Sequence, residues 1–201
     1  MARLFFLGTI VLGLCMSAFA QRNEIAVVAG AKVTPTVGST ATGNQTNFST
    51  TFAFEANYAT QLAHVPAVAL HLEFPFVASP STDITTSNLT AVKSYSSIFF
   101  TPALRLKILP GGPFSPWISA GGGLAHFGPS STTQGGTTVT VNSTTKSAVE
   151  GGVGADFHPP LLPLAFRVEA RDFYTGIPNL NTVSIKVRHN ILVGGGIVLR
   201  F

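Results

Sequence analysis

The chain has 201 residues, a net charge of +4, one cysteine and only 10% charged residues, with a mean hydropathy of +0.38. No run of Lys or Arg is dense enough to hold a phosphate backbone, which argues against nucleic acid as a partner. Beyond residue 20 no segment approaches the ~20 consecutive apolar residues of a membrane helix, so this much apolar surface has to be buried in another way.

The first residues set the compartment. Arg3 supplies a short positive region, Leu4 to Leu14 is an apolar run, and Ala18-Phe19-Ala20 is a small-x-small cleavage site before Gln21. The pattern predicts a secretory signal peptide over 1–20 and a mature domain over 21–201. Cys15 follows Leu14, whereas a lipid-modified cysteine normally follows a small residue, so the leader is not read as that of a lipoprotein. Cleavage after Ala20 removes the only cysteine, which excludes disulfides, thiol catalysis and cysteine-based metal sites from the mature chain. Loss of Arg3 with the leader lowers the net charge from +4 to +3.

From Asn23 onward the apolar residues recur with period two, the signature of strands with one greasy face. The first strand, Asn23 to Val33, sets Ile25, Val27, Ala29 and Ala31 against Glu24, Ala26, Gly30 and Lys32. The second, Phe48 to Gln61, sets Phe52, Phe54, Ala56 and Tyr58 against Ala53, Glu55 and Asn57. A tight turn over Leu62 to Pro66 leads to the third, Ala67 to Phe76, with His71 and Glu73 on its polar face. The fourth runs unbroken from Ser94 to Leu109, with Ile98, Phe100, Leu104 and Leu106 outward and Thr101, Ala103, Arg105 and Lys107 inward. The fifth, Phe114 to Phe127, carries Gly121-Gly122-Gly123, and its faces stay open. The sixth, Lys146 to His158, turns Glu150, Gly152, Gly154 and Asp156 away from Val149, Val153 and Phe157. The seventh, Leu164 to Tyr174, alternates Leu164, Phe166, Val168 and Ala170 with Arg167, Glu169 and Arg171. The eighth closes the chain at Phe201.

The connections after strands one, three, five and seven are long and rich in Ser, Thr and Gly, and Thr137 to Val141 alternates well enough to extend a hairpin. Those after two, four and six are short. This asymmetry suits an antiparallel barrel threaded from one side of a membrane, and an even count of eight strands allows the closure that lipid demands.

The last dozen residues, N-I-L-V-G-G-G-I-V-L-R-F, put Ile191, Val193, Gly195, Ile197, Leu199 and Phe201 on one unbroken apolar face. With Gly196 five residues before the end, Leu199 and Phe201 two apart and a terminal aromatic, this strand resembles the C-terminal sorting strand of bacterial outer-membrane barrels. Gly194 stands where that family often has a polar residue. Over nearly the whole mature chain the sequence resembles the small eight-stranded OmpA/OmpX-type barrels of the Gram-negative cell envelope. The resemblance implies an all-β, up-and-down transmembrane barrel in the outer membrane with both mature termini periplasmic. It also implies outer-membrane lipids, lipopolysaccharide and the barrel assembly machinery as partners, and Gly196, Leu199 and Phe201 as the assembly signal.

Few residues carry chemistry. Glu55, Glu73, Arg105, Lys107, Glu150, Asp156, Arg167, Glu169 and Arg171 fall on inward faces and are expected to form an ion-paired lumen plug, because eight strands enclose a space just wide enough for side chains. His64 and His158 belong to short turns, His71 to the interior, and His126 and His189 to the loop ends of strands five and eight. His189, Asp172 and Ser94 or Ser96 are the candidates if the chain is a lipid-modifying enzyme like the acyltransferases and deacylases of this architecture, although none of their local motifs is present. Two rim histidines with Asp172 are the corresponding metal candidate, which no local spacing enforces. Tyr58, Tyr95, Trp117, Phe157, Phe173, Tyr174 and Phe201 are expected in aromatic girdles, with Tyr174 open to a loop assignment. The sequence thus points to a non-enzymatic barrel without cofactor or metal that meets an external ligand through four loops. A lipid-modifying enzyme and a soluble periplasmic barrel holding a lipophile are the alternatives, and the second is disfavoured by the polar character of the inward faces.

Overall fold

The structure is a computed structural model that describes residues 23–35, 37–38, 45–86, 94–128, 130–134, 137–160, 162, 164–175 and 189–201. The predicted leader, 1–20, and most of the fourth long connection lie outside the described residues. The barrel strands are β1 (Asn23–Val33), β2 (Thr51–Val65), β3 (Val68–Thr86), β4 in two segments (Ser94–Phe100 and Ala103–Ile108), β5 (Phe114–Phe127), β6 (Thr144–Phe157), β7 (Leu164–Thr175) and β8 (His189–Arg200). Each pairs antiparallel with its neighbour in the chain. β8 then returns to β1, with Glu24 opposite Arg200 through Val33 opposite Ile191. Asn23 and Phe201 add two reciprocal backbone hydrogen bonds of 3.0 Å. No edge is left in the ring, which is the condition for a sheet to cross hydrocarbon.

The alternation sorts the side chains as the period-two pattern dictates. Phe52, Phe54, Val149, Val153, Phe166 and Val193 are exposed outward, and Val168 keeps 64% of its surface exposed. Glu24, Glu55, Glu73, Arg105, Lys107, Asp156, Arg167 and Arg171 are buried inward. Apolar residues outside and charges inside invert the arrangement of a soluble protein and suit one whose solvent is lipid. Asn23, Phe201 and the short connections share one end of the barrel, the turn end. The strand ends from which the long connections leave share the other, the loop end. There Val37–Gly38 pairs with Gln45–Phe48, which reaches the end of β3, and Ser130–Gln134 pairs with Thr137–Val141 as the expected hairpin extension.

Several boundaries differ from the sequence reading. β2 continues to Val65, so the turn is Pro66-Ala67 rather than Leu62 to Pro66, with a register shift between Gln61 and Ala63. β3 extends ten residues past Phe76 and turns much of the predicted second loop into strand. The fourth strand is not continuous. It breaks at Thr101-Pro102, because Pro102 has no N–H for the ladder. The Thr101 N–H instead reaches the Pro75 carbonyl at 3.4 Å, and the Thr101 hydroxyl donates across the lumen to Glu150 at 2.8 Å. The register of β5, left open by its glycines, is set by its ladder with β4, in which Trp117 lies opposite Lys107 and Ser119 opposite Arg105. Ser115, Trp117 and Ser119 face inward, and a Cβ on Gly121 would stand 2.4 Å from the Pro102 carbonyl oxygen. Only glycine allows β5 to lie that close to the interrupted strand.

Candidate functional site

The lumen is stratified along the barrel axis, and each layer follows from which strand ends supply it. At the turn end, β1, β4, β6, β7 and β8 bring Glu24 and Asp156 together with Arg105, Lys107, Arg167 and Arg200. Glu24 is the hub. It pairs with Arg105, with Lys107 at 2.6 Å, with Arg200 at 3.1 Å and with Arg167 at 3.4 Å. Asp156 accepts two bonds from Arg167, at 2.8 and 3.0 Å, in the forked geometry that a guanidinium offers a carboxylate, and it meets Lys107 at 2.6 Å. Beside this layer, in the turn after β6, burial and the positive charge of Arg200 push the His158 imidazole down to about 4.

In the middle layer the ratio of charges reverses. Arg171 alone faces Glu55 at 3.0 Å, Glu73 at 2.9 Å, Glu169 at 3.2 Å and Glu150. Arg105 reaches up from the first layer to Glu73 at 3.3 Å. Neutral donors complete two of these carboxylates: Asn57 serves Glu73 at 3.0 Å, and Thr101 and Ser119 serve Glu150 at 2.8 and 3.2 Å. Trp117 lies between the layers, with the guanidinium carbons of Arg105, Arg167 and Arg171 at 5.5, 5.1 and 5.1 Å from its ring.

The third layer, at the loop end, is aromatic. Phe99 stacks on Phe173 at 4.8 Å and meets Phe127 edge-on at 6.1 Å, while Tyr95 lies 5.9 Å from Phe127. Val77, Leu192 and the alanines 53, 125 and 148 fill the space around them. Lys32 enters this layer, donating to Ser97 at 2.6 Å beneath the Tyr95 and Phe99 rings.

All nine residues predicted for the inward network are buried inside the barrel and ion-paired. The prediction missed Glu24, Lys32 and Arg200, although alternation with Ile25, Val27, Ala31 and Leu199 already marked all three as inward. Three predicted girdle residues are corrected. Tyr95, Trp117 and Phe173 are buried in the lumen and contact no lipid. Tyr58, Phe157, Tyr174 and Phe201 are outward and exposed, and Tyr174 is part of β7. In the terminal strand, Leu199 and Phe201 are exposed outward, while Gly196 faces inward where a Cβ would stand 2.0 Å from the Val27 carbonyl oxygen.

At the outer rim, His189 Nδ1 and Asp172 Oδ2 are 2.7 Å apart on the outward face of β8 and β7, with the His189 ring edge-on to Tyr174 at 5.2 Å. Ser94 and Ser96 stand on β4, separated from this pair by two strands in one direction around the ring and three in the other, so they do not join it. His126, on β5, pairs with Thr145 at 2.9 Å instead. Among the described residues no group of three or more His, Cys, Asp or Glu is arranged to hold a metal.

A closed eight-stranded antiparallel barrel with a lipid-suited exterior and a filled lumen defines the small transmembrane barrels of the outer-membrane type. A solved structure bears this out at the level of fold. Neisserial surface protein A superposes with a TM-score of 0.53 at 14% identity over 89% of this chain and 97% of its own. Ail, the attachment invasion locus protein of Yersinia pestis, gives 0.49 at 12% identity, covering 89% of this chain and 99% of its own. The outer membrane enzyme PagL gives 0.45 at 14%, with 89% and 99% covered. No protein-family model and no curated relative matches the sequence.

Proposed function

We propose that the protein is an integral barrel of the bacterial outer membrane, synthesised with a leader over 1–20, whose activity resides in its four external loops while the barrel itself is a closed, non-enzymatic mount. The observation that carries this reading is the filled lumen: ion-paired layers below and stacked aromatics above leave the loops as the part of the chain free to vary and to meet an external ligand. The termini then lie in the periplasm, the outward apolar face meets lipopolysaccharide and phospholipid, and Gly196, Leu199 and Phe201 serve as the signal for the assembly machinery. Eight strands also suit this role, since aqueous channels belong to barrels of ~16 strands or more. Planar-bilayer recording of the purified protein tests it, together with antibody labelling of intact cells carrying a tag at Gly135. Rare, small current steps and surface labelling are expected. Steady, large steps from a monomeric preparation reject the closed mount.

The His189–Asp172 pair favours one second reading, a lipid hydrolase acting at the outer leaflet. A carboxylate on Nδ1 orients an imidazole to use Nε2 as a base toward a water or hydroxyl. Mass spectra of lipid A from cells producing wild type or His189→Asn decide it: an acylation pattern that depends on His189 replaces the first reading, and identical spectra exclude the second.

A further inference from the structure

The middle layer of the lumen contains an imbalance that its hydrogen bonds do not resolve. Four carboxylates converge on Arg171, and among the described residues the only other cation that reaches them, Arg105, is already committed to Glu24. Glu73 and Glu150 have neutral donors in Asn57, Thr101 and Ser119. Glu55 and Glu169 have no such donors among the described residues. Both approach the same atom of Arg171, Nε, with Glu55 Oε2 at 3.0 Å and Glu169 Oε1 at 3.2 Å. One N–H cannot satisfy two carboxylates. The geometry favours Glu169, which accepts a hydrogen bond there, while fully buried Glu55 has no hydrogen-bond partner at either oxygen. Two ionised carboxylates meeting at one N–H, away from water, repel strongly, and Glu55, ion-paired to Arg171 but without a hydrogen bond, loses its hydration as well.

We propose that Glu55 and Glu169 form a proton-binding site, one proton being held between the two carboxylates that meet at Arg171 Nε. A shared proton converts the repulsion into a short, charge-assisted O–H···O⁻ hydrogen bond and supplies the partner that Glu55 lacks. The proton belongs to the pair rather than to either residue. The field at the site comes from Arg171, Glu73, Glu150 and Arg105 in contact with the layer, from Lys32 on the loop side, and from His71 and Arg167 on the turn side. Phe99 and Phe173 cap the layer toward the loops. Without the proton, two full charges share one N–H and the plug loosens.

Infrared spectra of the barrel refolded in lipid vesicles test the site directly. At pH 7 the wild type should show the carbonyl stretch of a protonated carboxylic acid, shifted in heavy water. The band should vanish in Glu55→Gln and in Glu169→Gln and persist in Asp83→Asn, a substitution at an exposed position. Wild-type protein without the band, or a band that survives both glutamine variants, overturns the proposal. So does a band abolished at constant pH by added sodium or calcium, which would make the occupant a metal cation. Should one glutamine variant fail to fold, the wild-type spectrum and the other variant still decide. None of these outcomes bears on whether the barrel is a closed mount.

Discussion

The two halves of the lumen close the same space by opposite means. From the turn end to the middle, strands that are not neighbours in the sheet are tied by charge: Glu24 of β1 reaches Arg105 and Lys107 of β4 and Arg167 of β7, and Arg171 of β7 reaches Glu55 of β2 and Glu73 of β3. Toward the loops the seal is made by Phe99, Phe127, Phe173 and Tyr95, which need contact but no counter-charge. A buried ion pair contributes little net stability while complete and becomes very costly when broken, whereas an aromatic cluster loses only what its missing atoms contributed. The charged half is therefore intolerant of single changes, and the aromatic half degrades gradually.

The sharpest break comes at Arg171. Arg171→Leu leaves four carboxylates without their common partner, and refolding should fail or unfolding in urea should shift by at least about 3–5 kcal/mol. A loss below 1 kcal/mol would remove the distinction between the halves. Next is Phe99→Ala, which deletes a fully buried ring and should lower stability by about 3 kcal/mol. Because the ring is no ion's counter-charge, that loss should depend less on ionic strength than the loss in Arg171→Leu, as denaturation at two salt concentrations can check. Val168→Arg, on the outward face and outside both halves, should cost about 2–4 kcal/mol if it lies near the bilayer midplane. An unchanged urea midpoint in vesicles would mean that the faces are reversed.

Smaller effects sharpen the comparison. Lys32 is a cation in the aromatic half, held by one hydroxyl and two rings, and Lys32→Met should be neutral or stabilise by about 1 kcal/mol because the desolvation of the ammonium is relieved. The smallest effect is expected at His158. Its folded-state value, about 4, lies below its ordinary 6.5, so the unfolded chain takes up the proton first. Its contribution is thus complete above pH 6.5, declines as the pH falls, and levels off below about 4. His158→Gln should flatten the urea midpoint across that window and leave it unchanged at pH 8.

The barrel was legible because it rests on local rules. Period two fixed the faces of β1, β2, β3, β6, β7 and β8, and the contrast of long and short connections ordered the ring. What stayed hidden depends on neighbours distant in sequence. The inward turn of Trp117 and Ser119 follows from their pairing with Lys107 and Arg105 on β4, and triple glycine carries no face of its own. Tyr95 and Phe173 looked like girdle residues because each sits near a strand end, yet their parity puts them inside. Glu24 was assigned to the correct face, but the four bases around it come from β4, β7 and β8, and strand tilt and stagger decide which levels meet across the lumen.

Trp117 is the chain's only tryptophan, and at 2% exposure it touches neither lipid nor water. In most barrels of this kind a blue-shifted indole emission would be taken as the sign of contact with acyl chains. Here the fluorophore sits among three guanidiniums, and its Nε1 has no hydrogen-bond partner. Its colour therefore reports the arrival of Arg105, Arg167 and Arg171 around the ring, three side chains drawn from β4 and β7. Quenchers dissolved in the bilayer should scarcely dim it, and during refolding its shift should clock the sealing of the interior rather than the moment the strands first meet lipid.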